Sequence, residues 1–129
     1  MNIFIVNQNP DSKYNDEEGR HYDFPTSIPN GRQIKLGDVF IFNLAAKIAK
    51  KQKLGDKRLT GIAKIDNITF YNQNGKEMAL ASYYWYKKFE TPLSFEDIGG
   101  DPRCNVNFAM NKISVDKQAE ILLQIIKHN

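Results

Sequence analysis

Two long β-favouring runs joined by Asn72-Gln73-Asn74-Gly75 constrain this chain more than any other feature. Asn-Gly supplies the positive φ that a tight hairpin turn demands. The flanking runs, Leu59 to Tyr71 and Lys76 to Phe89, are rich in β-branched and aromatic residues, and Pro92 stops the second. Gly61 inside the first run marks a bulge or a close approach of backbone. A chain with such a hairpin at its centre must build a sheet around it.

Ile3 to Val6 is a short apolar run bounded by Asn7 to Pro10, and Val39 to Phe42 is apolar on both faces. Both read as buried strands. Leu44 to Lys53 has good helix formers, with Leu44, Ala45, Ile48 and Ala49 apolar, and reads as one or two helical turns or as a long basic loop. Near the end, Val115, Ala119, Leu122, Leu123 and Ile126 recur at helical spacing, with Ser114 placed to cap the helix and Asp116 in its first turn. The order strand, long loop, strand, basic segment, hairpin, loop, helix predicts an α+β fold. Its simplest form is a small β-barrel with the C-terminal helix packed on it. The 129 residues suit one domain, 1–129, and the 41% hydrophobic content sets the chain against disorder.

Several function classes fall away. No apolar run approaches the roughly 18 residues of a membrane span. The first residues lack a basic region and a small-residue cleavage site, so no signal peptide is expected. A single cysteine, Cys104, suits a reducing cytoplasm and is expected to be a buried or inert thiol. His21 and His128 show no ligand spacing with it, and no metal or other cofactor is expected. Gly99-Gly100 runs into Pro102 rather than into a helix, unlike a phosphate-cradling loop. Asp11-Ser12-Lys13 is the nearest approach to a nuclease acid-x-Lys pair, but it sits in a turn without an upstream acid. The chain reads as a binding domain and not as an enzyme.

Binding has three sources. Tyr14 to Pro25 packs Tyr14, Asp16, Tyr22 and Phe24 into one stretch with no clean helix or strand period. There Asp16 can accept from the exocyclic amine of a base while the rings wall it. Ser82 to Phe89 places five aromatics and two lysines on one strand. Alternation sends Tyr83 and Trp85 to one face and Tyr84 and Tyr86 to the other, and exposed rings of this kind stack bases. Lys47, Lys50, Lys51, Lys53, Lys57 and Arg58 form a basic run opposed only by Asp56, suited to phosphate. A plainer reading stands beside each: Asp16 can bond its own turn ahead of Gly19, and the strand aromatics can fill the core.

Tyr14, Asp16, Gly19, Tyr22, Phe24 and Pro25 follow a spaced order, Tyr-x-Asp-x-x-Gly-x-x-Tyr-x-Phe-Pro. It is similar to the start of PUA-like domains attached to bacterial restriction endonucleases. Ile34-Lys35-Leu36-Gly37-Asp38 resembles that family's Lys-Pro-Gly-Asp turn, with Leu36 where proline is usual. Leu59 to Ala63, Phe89 to Phe95 and the Ile113-Ser114 entry to the last helix resemble its later segments, whereas Asn105-Val106-Asn107 lacks the family's Val-Arg. Relatives of this superfamily include the EVE, YTH and SRA groups, several of which flip a modified base into an aromatic pocket. The resemblance implies a PUA-like reader of modified double-stranded DNA serving a restriction system, with any nuclease or NTPase part on a continuation of the chain. An RNA reader of the same barrel type and a protein-interaction domain are the alternatives.

Overall fold

The computed structural model describes residues 1–8 and 20–129. Its strands are β1 (Ile3–Gln8), β2 (His21–Pro25), β3 (Val39–Leu44), β4 (Leu59–Gln73), β5 (Lys76–Leu93) and β6 (Met110–Lys112). Two helices, α1 (Ala46–Lys51) and α2 (Val115–His128), and a single 3-10 turn at Glu96–Ile98 complete the described elements. The strands form one sheet in the order β2-β5-β4-β3-β1-β6. β1 and β3 pair in parallel, Ile3 opposite Val39 through Gln8 opposite Leu44, and the other neighbours pair antiparallel. The parallel pair lies inside the sheet with both faces covered, which explains the unbroken apolar runs of β1 and β3.

The β4–β5 hairpin turns through Asn74 and Gly75, both at positive φ (51° and 81°), the backbone that a two-residue turn between twisted strands requires. Its register slips three times: once between Leu59, opposite Leu93, and Gly61, opposite Lys88, and twice more in compensating directions. Lys64 faces Trp85 while Ile65 faces Tyr83, leaving Tyr84 as an extra residue on β5. Ile65 faces Tyr83 while Asn67 faces Ser82, leaving Asp66 as an extra residue on β4. Such bulges bend a strand and increase its twist. The sheet here is strongly curled, a mixed half-barrel.

The curl separates two cores. The concave face is aromatic: Phe4, Tyr22, Phe24, Phe40 and Phe42 are buried there, with Tyr83 and Tyr86 packed against them. The convex face is aliphatic, with Ile3, Ile5, Val39, Ile41 and Ile62 lying under Ile121 and Ile125 of α2. Tyr22 on the edge strand β2 reaches Phe40 on β3 at 5.7 Å between ring centroids, and its Oη donates to the Asn7 carbonyl at 2.7 Å. Burying one such ring contributes about 1.5–3 kcal/mol and the hydrogen bond about 1 kcal/mol. The ring holds the curl; the bond orients it. Asn30 Nδ2 donates to the Met110 carbonyl at 3.0 Å, tying the segment after β2 to the opposite edge.

Asp38 shows why the Leu36-Gly37-Asp38 turn sits where it does. Its buried carboxylate accepts from the Lys35 and Asn2 backbone N–H groups, both at 2.9 Å, so the turn also pins the entry to β1.

Four readings of the sequence are corrected. His21–Pro25 is a strand and not irregular chain; with Pro25 ending it at the sheet edge, its period is too short to detect. β6 is three residues long and carries no period at all. On α2 the packed residues are Ile121 and Ile125, with Leu122 beside them, whereas Val115, Leu123 and Ile126 are exposed. The helix carries two adjacent apolar stripes, and the spacing of one does not exclude the other. Ser114 occupies the cap position, but its hydroxyl makes no capping hydrogen bond.

Gly61 lies where the backbone of β4 closely approaches β5. A Cβ there would stand 2.9 Å from the Lys87 carbonyl oxygen and 3.2 Å from Tyr86 Oη. Gly61→Ala is therefore expected to lower stability by about 1–3 kcal/mol, read as a drop in the urea midpoint with an unchanged slope.

Candidate functional site

Of the residues expected to form a base pocket, the four that are described do not all share one face. Tyr14 and Asp16 lie outside the described residues. Tyr22 and Phe24, expected as pocket walls, are 7% and 2% exposed and lie in the concave core, because the curl folds β2 over β3. Tyr83 is half-buried and stacks on Tyr86, with centroids 6.2 Å apart and planes at 17°. Trp85, 42% exposed, stands on the convex side opposite Lys64. The bulge at Tyr84 is the reason. It breaks strict alternation, so that Tyr83 and Tyr86, three residues apart, share the concave face opposite Ile65 and Ala63. The expected pairing of Tyr83 with Trp85 is thereby overturned.

The six bases of the basic run also divide. Lys47, Lys50, Lys51 and Lys53 are exposed on α1 and the turn after it, and none forms an ion pair among the described residues. Lys50 and Lys51 fall in the last turn of α1, where a cation favours the helix dipole. Lys57 and Arg58 are held by the fold instead. Lys57 Nζ meets Asp97 Oδ2 at 2.7 Å. Arg58 Nε donates to the Leu44 carbonyl at 2.8 Å, and its guanidinium lies 5.9 Å from the Phe95 ring centroid. Burial, and then the charge of Arg103, lower the Arg58 pKa from its usual range. Arg103 covers the same Phe95 ring at 4.4 Å and forks onto Asp101, with Nη2 to Oδ2 at 2.8 Å. Lys57 and Arg58, expected at phosphate with the other four, thus also have a structural role, since both secure the lead into β4.

A cleft of about 280 Å³ opens beside this basic segment. Its apolar walls come from Leu44, Leu54, Phe89 and Pro92; its polar groups are Gln8, Gln52, Thr60 and Lys88. Gln8 pairs with Leu44 at the end of β1 and β3, and Thr60 Oγ1 donates to Gln8 Oε1 at 3.4 Å. Across the cleft, Lys88 faces Gly61 on β4 and lies two residues beyond Tyr86, at the end of the aromatic core. Gln52 and Leu54 alternate in the chain with Lys51 and Lys53, so the exposed lysines flank the cleft. Apolar walls with a few amide and hydroxyl groups, bordered by cations, suit a planar polar-edged group attached to an anion.

Compared with known proteins, the chain matches no family model, no curated protein and no solved structure. The chemistry of the site therefore rests on its own residues. Gln8, Gln52 and Thr60 escaped the sequence reading because each is an isolated polar residue. Gln8 and Thr60 meet through the register of β1, β3 and β4, and Gln52 joins them from the end of α1. Cys104, expected to be buried or inert, is exposed, in the loop before β6. Among the described residues no helix is long and apolar enough to cross a membrane.

The anchor of the basic segment is itself a titrating group. Ser94 N donates to Asp97 Oδ2 at 2.8 Å and Asp97 N to Ser94 Oγ at 3.1 Å, a reciprocal cap on the 3-10 turn. The Lys57 ammonium and then the Ser94 N–H hold the Asp97 carboxyl down, from 3.8 to about 2. A depressed carboxylate stabilises the fold above its ordinary pKa and loses that contribution as pH falls from 3.8 through about 2. Asp97→Asn should therefore cost about 1 kcal/mol at neutral pH, as other cap losses do. The stability gap between variant and parent should close as acid protonates Asp97, a difference that urea melts at stepped pH will read.

Proposed function

We propose that this chain is a PUA-like nucleic-acid-binding domain that reads a base, with double-stranded DNA carrying a modified, flipped base as its ligand and a restriction system as its setting. The observation that carries the reading is the cleft at the end of the aromatic core bordered by exposed Lys47, Lys50, Lys51 and Lys53. The ordered motifs shared with PUA-like domains of restriction endonucleases support the fold family. The curled half-barrel with a C-terminal helix is compatible with it.

In this reading the four lysines hold the backbone through charge, which gives affinity without sequence information. A base turned out of the duplex enters the cleft, its faces against Leu44, Leu54 and Pro92. The Gln8 and Gln52 amides, each with donor and acceptor, reach its hydrogen-bonding edge. Turning out a base costs a few kcal/mol, less when it is mispaired or the strand is already single. A modification is then distinguished by fit and by which polar groups it leaves unpaired. The domain contributes recognition and no covalent step.

The test compares matched duplexes, with unmodified, cytosine-modified and adenine-modified bases, and the equivalent RNA, by fluorescence anisotropy at two salt concentrations. Replacing Lys47, Lys50, Lys51 and Lys53 together by glutamine should weaken binding to all duplexes alike. It should also flatten the plot of log K against log salt by about 3–4 units, or about 0.9 for each phosphate no longer neutralised. Gln52→Ala should instead erase the preference for a modified base and leave the salt slope intact. A preference for RNA would move the reading to the single-stranded alternative. Absence of binding to every nucleic acid at low salt would overturn it.

A further inference from the structure

The face of α2 turned away from the sheet is apolar. Val115, Leu123 and Ile126 are 75%, 58% and 73% exposed, and Ala119 between them is exposed as well. At 100° per residue the four side chains fall within an arc of about 80°, a continuous ridge along the helix. Single exposed apolar residues are ordinary, but a contiguous ridge beside charged residues is the mark of a contact surface. The ridge is distinct from the stripe of Ile121 and Ile125 that covers the convex core.

We propose that this ridge joins two copies of the chain, α2 against α2 in antiparallel orientation about a two-fold axis. Charge order along the helix selects that occupant. One flank of the ridge carries Asp116 and Glu120 toward the N-terminal end and Lys127 toward the C-terminal end. A two-fold axis across the helix sets this flank against itself with its direction reversed, so Asp116 of each copy meets Lys127 of the other. A parallel arrangement would turn this flank toward the opposite one, which carries Gln118 and Leu122, and would leave Asp116 and Lys127 unpaired across the axis. The helix dipoles oppose in the same favourable sense.

The ridge also fits itself. Ala119, its small residue, lies close to the two-fold axis and leaves room for Leu123 of the second copy. On the charged flank a groove of about 340 Å³ separates α2 from the Gly99–Pro102 loop, with Asp116 and Glu120 on its wall. It opens where the Lys127 chain of the second copy arrives. A helix of 14 residues is about 21 Å long, and one ridge on it buries less than the roughly 800 Å² per partner of a standard interface. The dimer is therefore reversible and forms at high protein concentration.

Sedimentation velocity across a dilution series of the full chain tests this. The parent should move from monomer toward dimer mass as concentration rises. Leu123→Lys and Ile126→Glu, both at exposed positions, should stay monomeric with an unchanged circular dichroism spectrum. Asp116→Lys or Lys127→Asp alone should weaken association by about tenfold, equivalent to about 1.4 kcal/mol, and the two together should restore it. A parent that remains monomeric throughout overturns the proposal. So does a dimer indifferent to Leu123→Lys, or a double charge swap that restores nothing.

Discussion

Curvature in the β4–β5 hairpin underlies everything else in this molecule. Without the extra residues Tyr84 and Asp66, a hairpin of fifteen- and eighteen-residue strands would run on as a gently twisted ribbon. With them, the sheet folds over until Tyr22 of β2 packs on Phe40 of β3, two strands beyond its own neighbour β5. That closure sorts the chain's apolar residues by shape. Flat rings fill the tight concave side, and branched aliphatics lie under the helix on the convex side. It also sets the end of the concave face, where Gly61 leaves space over Tyr86 and the cleft begins.

The basic segment shows how little a run of charge says until the fold divides it. Six cations in twelve residues look like one surface. Two of them are committed to the molecule's own architecture: Lys57 through a carboxylate that also caps a helical turn, and Arg58 through a carbonyl and an aromatic ring. They fix the chain that follows α1. Of the remaining four, Lys47, Lys50 and Lys51 are thereby held on a short helix docked through buried Ala49, and Lys53 on the turn that follows it. Preorganised cations lose less freedom on meeting an anion, so the structural pair adds to the effect of the exposed four.

What could be read from the sequence was what local chemistry determines. The Asn74-Gly75 turn, the two long strands it joins, the doubly apolar β1 and β3 and the presence of a terminal helix all follow from turn residues and periods within a few positions. The misreadings have a common origin in distant partners. Tyr22 and Phe24 look like free aromatics until β2 is folded over β3. Tyr83 and Trp85 look like neighbours on one face until a bulge parts them, and bulges leave no sign in composition. On α2 both apolar stripes have helical spacing, and only the sheet beneath decides which is covered. Cleft residues such as Gln8 and Thr60 have no local signature, since a single polar residue at a strand end is commonplace.

The sheet's two margins are unlike those of an open ribbon. β2 ends in Pro25, which has no N–H to offer, and β6 presents three residues. Tyr22 and Asn30 bridge from one margin toward the other with side chains. Each of these two edge strands therefore offers little backbone on which a foreign strand can template. At β2 and β6, growth by strand addition, the route to fibres, is limited by strand length and by Pro25 and not by charge.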